Sequence, residues 1–216
     1  MKRHWKQLMA LGIFASSLLT APSQTASIDP ALMAKASAGD PAAQVAVGKS
    51  YAAGGGAERS KKQVAVDDQM AAEWFRKAAQ QGYIPGEMSL ADAYGNGKGV
   101  PRDMALAATW YRKAAEQGDV NGQGKMGVLY SFGQGVAQDY VEAYFWLDVA
   151  ASIQGPDQQK YAANRQMIGT HITADELEAV QERVANWIAA HPRPNGATYK
   201  LMLRGPDLWG MLARSV

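Results

Sequence analysis

TWYRKAAEQGD, residues 109–119, sets two large aromatics, a basic pair and two alanines ahead of a Gly-Asp break. A cluster of aromatics and cations met once would suggest a ligand site. This one recurs, as EWFRKAAQQGY at 73–83 and as the more diverged FWLDVAASIQG at 145–155. Trp74, Trp110 and Trp146 stand 36 residues apart. A fixed period of this length marks stacked structural units, and it decides how everything else in the chain is read.

Other landmarks keep the same register. Val64-x-x-Asp67, Val100-x-x-Asp103 and Val136-x-x-Asp139 hold one offset to each Trp. Tyr51, Tyr94 and Tyr130 are each followed by glycine three and five positions later. Repeat one carries seven extra residues, AERSKKQ (57–63), between its glycines and Val64.

Each unit reads as two helices. In the second unit a helix over 85–95 ends at Gly95-Asn96-Gly97-Lys98-Gly99, where glycine accepts the positive φ of a helix end. Asp103 is placed to cap the next helix, and Asp67 and Asp139 hold the same offset. That helix runs to Gly118, with Leu106, Ala107, Trp110, Tyr111 and Ala114 as its apolar stripe and Arg112, Lys113, Glu116 and Gln117 largely off it. Ala71, Ala107 and Ala143 precede each Trp by three, and Ala78, Ala114 and Ala150 follow it by four. Gly48, Ala91 and Gly127 precede each Tyr by three. Small residues let helix backbones approach while an aromatic fills the remaining space. One such pair cannot bury its apolar face alone, so the units must stack into a solenoid.

The ordered run of a Tyr, Gly-x-Gly-Val, x-x-Asp and Ala-x-x-Trp-Tyr-x-Lys-Ala-Ala-x-x-Gly resembles the Sel1-like repeat, a relative of the tetratricopeptide helix pair. The resemblance divides the chain into repeat one (40–82, insertion 57–63), repeat two (83–118) and repeat three (119–155). It implies an all-α fold, an α/α right-handed superhelical solenoid used as a protein-interaction scaffold. It also implies that the first helices line the concave face.

The flanks have their own signatures. ALMAKASAGD before repeat one predicts an N-terminal packing helix within 27–39. After repeat three, QQKYAANRQMI (158–168) is helical in character, and Thr173 with Glu176 forms a capping-box signal. The helix it opens places Leu177, Val180, Val184, Trp187 and Ile188 on one face, so 156–190 is expected to be a capping helix pair. A Pro/Gly break at 191–196 leads into an apolar tail, expected to fold back on the solenoid, with partner docking, self-association and disorder as the alternatives.

Residues 1–26 have the layout of a secretory signal peptide: Lys2, Arg3 and Lys6, a short apolar run from Leu8 to Leu19, then small residues with cleavage at 21–27. The expected location is therefore periplasmic or secreted, with no integral membrane span once the leader is gone. Formal charge is +2 for the whole chain and −1 for 27–216. A near-neutral surface does not suit nucleic acid. Zero cysteines leave no disulfide framework, so packing alone must hold the fold.

No catalytic pattern emerges. His171 and His191 lack ligand spacing, no HExxH is present, and Gly95–Gly99 is not a phosphate loop because Lys98 and the strand context do not fit. Ser-x-x-Lys and Gly-x-Ser-x-Gly are absent. A non-enzymatic scaffold without cofactor or metal is expected, binding a protein or peptide of the cell envelope. Two alternatives stand beside it: a β-lactam-binding or hydrolysing protein, as among cysteine-rich Sel1-like relatives, and a secreted effector or host-contact factor.

The three copies also sort positions. The constant residues, Tyr51, Asp67, Trp74, Gly82, Tyr94, Asp103, Trp110, Gly118, Tyr130, Asp139 and Trp146, are expected to be packing and caps. The first-helix columns Lys49/Asp92/Val128 and Ser89/Lys125 vary between copies, while Gln44/Glu87/Gln123 keeps a polar type. These are the candidate partner contacts on the concave face. Arg59, Lys61 and Lys62 are a second candidate set, on a basic loop.

Overall fold

In a computed structural model, residues 28–54 and 60–192 are described, and they form nine α-helices with a 3-10 turn at Gly169–His171. The leader, Arg59 and the apolar tail lie outside the described residues. Helix α1 (Pro30–Ser37) precedes three pairs: α2 (Pro41–Ala53) with α3 (Lys61–Gln80), α4 (Ile84–Asn96) with α5 (Met104–Glu116), and α6 (Val120–Phe132) with α7 (Tyr140–Ala151). Helices α8 (Gln158–Ile168) and α9 (Ala174–Ala190) follow. From α1 to α8 each helix packs on the next, which makes an all-α solenoid.

The alanines and glycines of the period are the points of closest approach. Ala78, Ala107, Ala114, Ala143 and Ala150 are completely buried. Gly48 takes the Phe75 ring and Gly127 takes Leu147, so close that a Cβ at either would lie 2.5 Å from its partner. Ala91 occupies the same column and is buried with Tyr111. Successive units are joined by Gly86 against Ala78 and Gly122 against Ala115.

The second glycine of each loop has a role that turn formation does not cover. Gly99 adopts φ +70, and a Cβ there would lie 1.9 Å from the Asp68 carbonyl oxygen of the preceding unit. Gly135, at φ +72, meets the Met104 carbonyl in the same way, at 2.1 Å. The loops of repeats two and three therefore rest on the backbone of the previous second helix, two turns into α3 and at the start of α5.

Polar members of the motif are also explained. Asp103 and Asp139 cap α5 and α7, accepting from Ala105 and Leu106, and from Glu142, each at 2.9 Å. Lys77 and Lys113 each lie 4.1 Å over the indole three residues earlier, Trp74 and Trp110. A cation over an indole face is attracted by the ring quadrupole. Arg112 donates to the Tyr130 hydroxyl of the next unit at 2.7 Å. At the last junction the roles exchange: Arg165 on α8 pairs with Asp148 on α7. Burial pushes the Asp148 carboxyl up, against the lowering by Arg165.

Repeat one departs from expectation. Asp67 does not cap a helix; it is buried in the second turn of α3 and accepts from Gln63 at 3.0 Å. The cap is Ser60, because Lys61, Lys62 and Gln63 of the insertion extend the helix instead of forming a loop. Lys61 and Lys62 are thus exposed on the first turn of α3. Leu106, expected in the apolar stripe, is 41% exposed on α5. Ala107 and Ala108 face the core in its place.

At the C-terminal end Thr173 and Glu176 form the capping box. Val180, Val184 and Ile188 enter the same core as α7, and Trp187 meets Trp146 edge-on at 6.3 Å. Helix α9 packs on α7.

Candidate functional site

The first helices α2, α4 and α6 carry the eight positions expected to contact a partner, and the structure divides them. Gln44, Glu87 and Gln123 are buried, not presented to a ligand. Their place is between the end of one second helix and the end of the next. Gln44 donates to the Ala36 carbonyl and Gln123 to the Ala115 carbonyl, both at 3.2 Å. From the other side Gln81 donates to Gln44 at 2.9 Å and Gln117 to Glu87 at 2.7 Å. The column is a set of polar pegs joining units, because a buried polar group must find partners. In repeat three the residue in register with Gln81 and Gln117 is Ile153, which is buried. Gln123, 0% exposed, is accordingly left with its Oε1 unpartnered among the described residues.

Glu87 is the odd member. Burial raises its carboxyl above the ordinary 4.5, opposed by Lys113 and by the Gln117 hydrogen bond. An ionised carboxylate cannot donate to a carbonyl as the two glutamines do.

Lys49, Ser89, Asp92, Lys125 and Val128 remain at least partly accessible. Ser89 and Asp92 line a cavity of ≈ 380 Å³ between the first pair and α4. Its floor is Ala71, Ala72, Phe75 and Ala93, and Ala52, Asp68, Asn96 and Lys98 complete the rim. The sequence pattern did not single out Asp68, Asn96 or Lys98 as contacts. Asp92 and Lys125 meet across the two first helices at 3.7 Å. Tyr111 donates its hydroxyl to Asp92 at 2.6 Å, and Lys125 sits 5.5 Å from the centre of its ring. Burial, then the hydrogen bond to Asp92 and its charge, push the Tyr111 phenol well above its usual value. It is a positioning group, not an acid.

The two junctions differ because side chains in register differ. Where the first has Ser89, Asp92, Ala93 and Asn96, the second has Lys125, Val128, Leu129 and Phe132. Phe132 is 69% exposed. The face therefore changes from an alanine-floored, polar-rimmed groove to a partly apolar surface within one repeat.

The rest of the described chain offers little chemistry. His171 stacks on Tyr140 at 4.6 Å, and His191 stacks on Trp187 at 4.1 Å. No group of three or more His, Asp or Glu able to hold a metal ion occurs among the described residues. No described helix is long and apolar enough to cross a membrane.

Comparison with known proteins agrees with this architecture. The family model for the Sel1 repeat matches residues 41–83, 85–119 and 120–153. Among solved structures, the chain is similar to c5321, described as a protective antigen present in uropathogenic Escherichia coli strains and displaying an SLR fold. The TM-score is 0.54 at 26% identity, covering 86% of this chain and 43% of that one. It thus spans less than half of that longer relative. It is also similar to a Sel1 repeat protein from Oxalobacter formigenes, with TM-score 0.50 and 32% identity over 60% of this chain and 92% of that one. No curated protein matches it in sequence. Proteins with these repeats are generally protein-interaction scaffolds. With three matched units in register and helices paired as the period requires, the chain belongs to the Sel1 repeat family.

Proposed function

We propose that this protein is an exported, non-enzymatic scaffold of the bacterial cell envelope that holds a protein or peptide segment against its first-helix face. The observation that carries the reading is the ≈ 380 Å³ groove, in which Ser89 and Asp92 stand over an alanine and phenylalanine floor. Concave, mostly apolar sites with a few fixed polar groups are the usual form of a recognition site. Export rests on the leader-like residues 1–26. The experiment is crosslinked capture from an envelope fraction with the full chain and with Ser89→Trp, which fills the groove. Loss of the captured species with unchanged helical circular dichroism supports the proposal. Equal capture by both rejects the groove.

A second reading, a secreted host-contact factor, is favoured by one observation: a structural neighbour is described as a protective antigen. Fractionation separates the two. Protein in the medium supports the second reading, and protein retained in the envelope supports the first.

A further inference from the structure

Resting on the groove reading above, we infer that the occupant of this face is an extended peptide carrying a lysine or arginine and a large apolar side chain three residues apart. The first half of the inference comes from the groove. Asp68 stands on its rim with no ion-pair partner among the described residues. Asp92 is already bound by Tyr111 and Lys125. The floor beneath is hydrocarbon, from Ala71, Ala72, Phe75 and Ala93. An aliphatic stem lying on that floor with its cation at Asp68 satisfies both surfaces, as long basic side chains do elsewhere.

The second half comes from the next junction. Phe132 holds the register position of Asn96, and Val128 that of Asp92. With Phe132 69% exposed, the same place one unit along offers an apolar contact. Asp92 on α4 and Lys125 on α6 come within 3.7 Å, which makes the two first helices neighbours, and neighbouring helices lie about 8–10 Å apart. An extended chain in the polyproline II conformation advances about 3.1 Å per residue and presents every third side chain on one side, so three residues separate the two places. Between them the Asp92–Lys125 pair and the exposed Lys98 supply an acceptor and a donor for the peptide backbone.

The test is fluorescence anisotropy of the full chain with a labelled octapeptide, Gly-Ser-Lys-Ala-Ala-Phe-Ser-Gly. Saturable binding is expected, weakened at least tenfold when the peptide lysine is replaced by glutamate. Moving the phenylalanine by one position should weaken it several-fold. Asp68→Asn should remove the preference for lysine over norleucine, and Phe132→Ser the preference for phenylalanine over alanine. Absence of binding, or preferences that survive both substitutions, overturns the inference. If only a chain lacking 197–216 binds, the occupant is that segment of the chain itself, and the partner assignment is overturned. Peptide capture that is lost with Ser89→Trp yet indifferent to lysine and phenylalanine defeats this inference while leaving the groove reading intact.

Discussion

Glu87→Gln should stabilise the fold, although it removes a charge-assisted hydrogen bond. Glu87 is 2% exposed, and its carboxylate accepts from Gln117 at 2.7 Å. Its counterparts Gln44 and Gln123 each add a bond to a carbonyl eight residues earlier, at 3.2 Å. A glutamine at 87 can make the same bond to the Ala79 carbonyl, for about 1 kcal/mol. It also removes the cost of burying a charge, the cost that raises the Glu87 carboxyl. Against this, the Gln117 bond loses its charge assistance, a loss of about 1 kcal/mol. The bond gained and the assistance lost offset each other, so relief of the buried charge sets the sign, and Tm should rise by a few degrees or about 1 kcal/mol near neutral pH. The sign in pH follows from the raised carboxyl. Between 4.5 and its higher folded value the native state binds more protons than the unfolded chain. The native protein therefore loses stability as pH rises through that window. Below it Glu87 is protonated and can donate as glutamine does, so the two proteins should converge. Urea denaturation of both between pH 4 and pH 8 measures this. A destabilised Glu87→Gln, or a difference independent of pH, would refute the reasoning.

Gly99→Ala and Gly82→Ala both place alanine at positive φ, yet only Gly99 faces a carbonyl, so thermal melts should show about 1–2 kcal/mol lost at Gly82 and clearly more at Gly99. Gln117→Ile, which copies the residue in register in repeat three, leaves the Glu87 carboxylate without its donor. Chemical denaturation should show a loss of about 1.5–3 kcal/mol. Arg165→Ala strands Asp148 in a largely buried site and should cost about 3 kcal/mol, with Asp148→Asn in the same chain restoring much of it. A double-mutant cycle by urea denaturation checks the coupling.

The architecture was legible because packing repeats itself: Trp, Ala and Gly at fixed offsets leave few folds open. The site was less legible. Gln44, Glu87 and Gln123 are polar residues on first helices, and polarity alone suggested exposure. Gln44 and Glu87 are buried with partners, Gln81 and Gln117, that lie 37 and 30 residues away in the chain. The readable signal was the constancy of the column, the same criterion that marks packing positions elsewhere in the repeat. Asp67 failed as a cap because a seven-residue insertion restores register in sequence but not at the helix start, which Ser60 takes. Phe132 was detectable as a change from Asn96 in register, although nothing local told that its ring would be exposed.

The seating of Gly99 on Asp68 and of Gly135 on Met104 bears on how such a chain can grow. In repeats two and three the loop must reach a fixed carbonyl on the neighbour, so its length is dictated from outside the unit. An insertion in either loop would lift its glycine off that carbonyl, so a grafted epitope or label should be rejected there, and loop length is a property of two units held jointly.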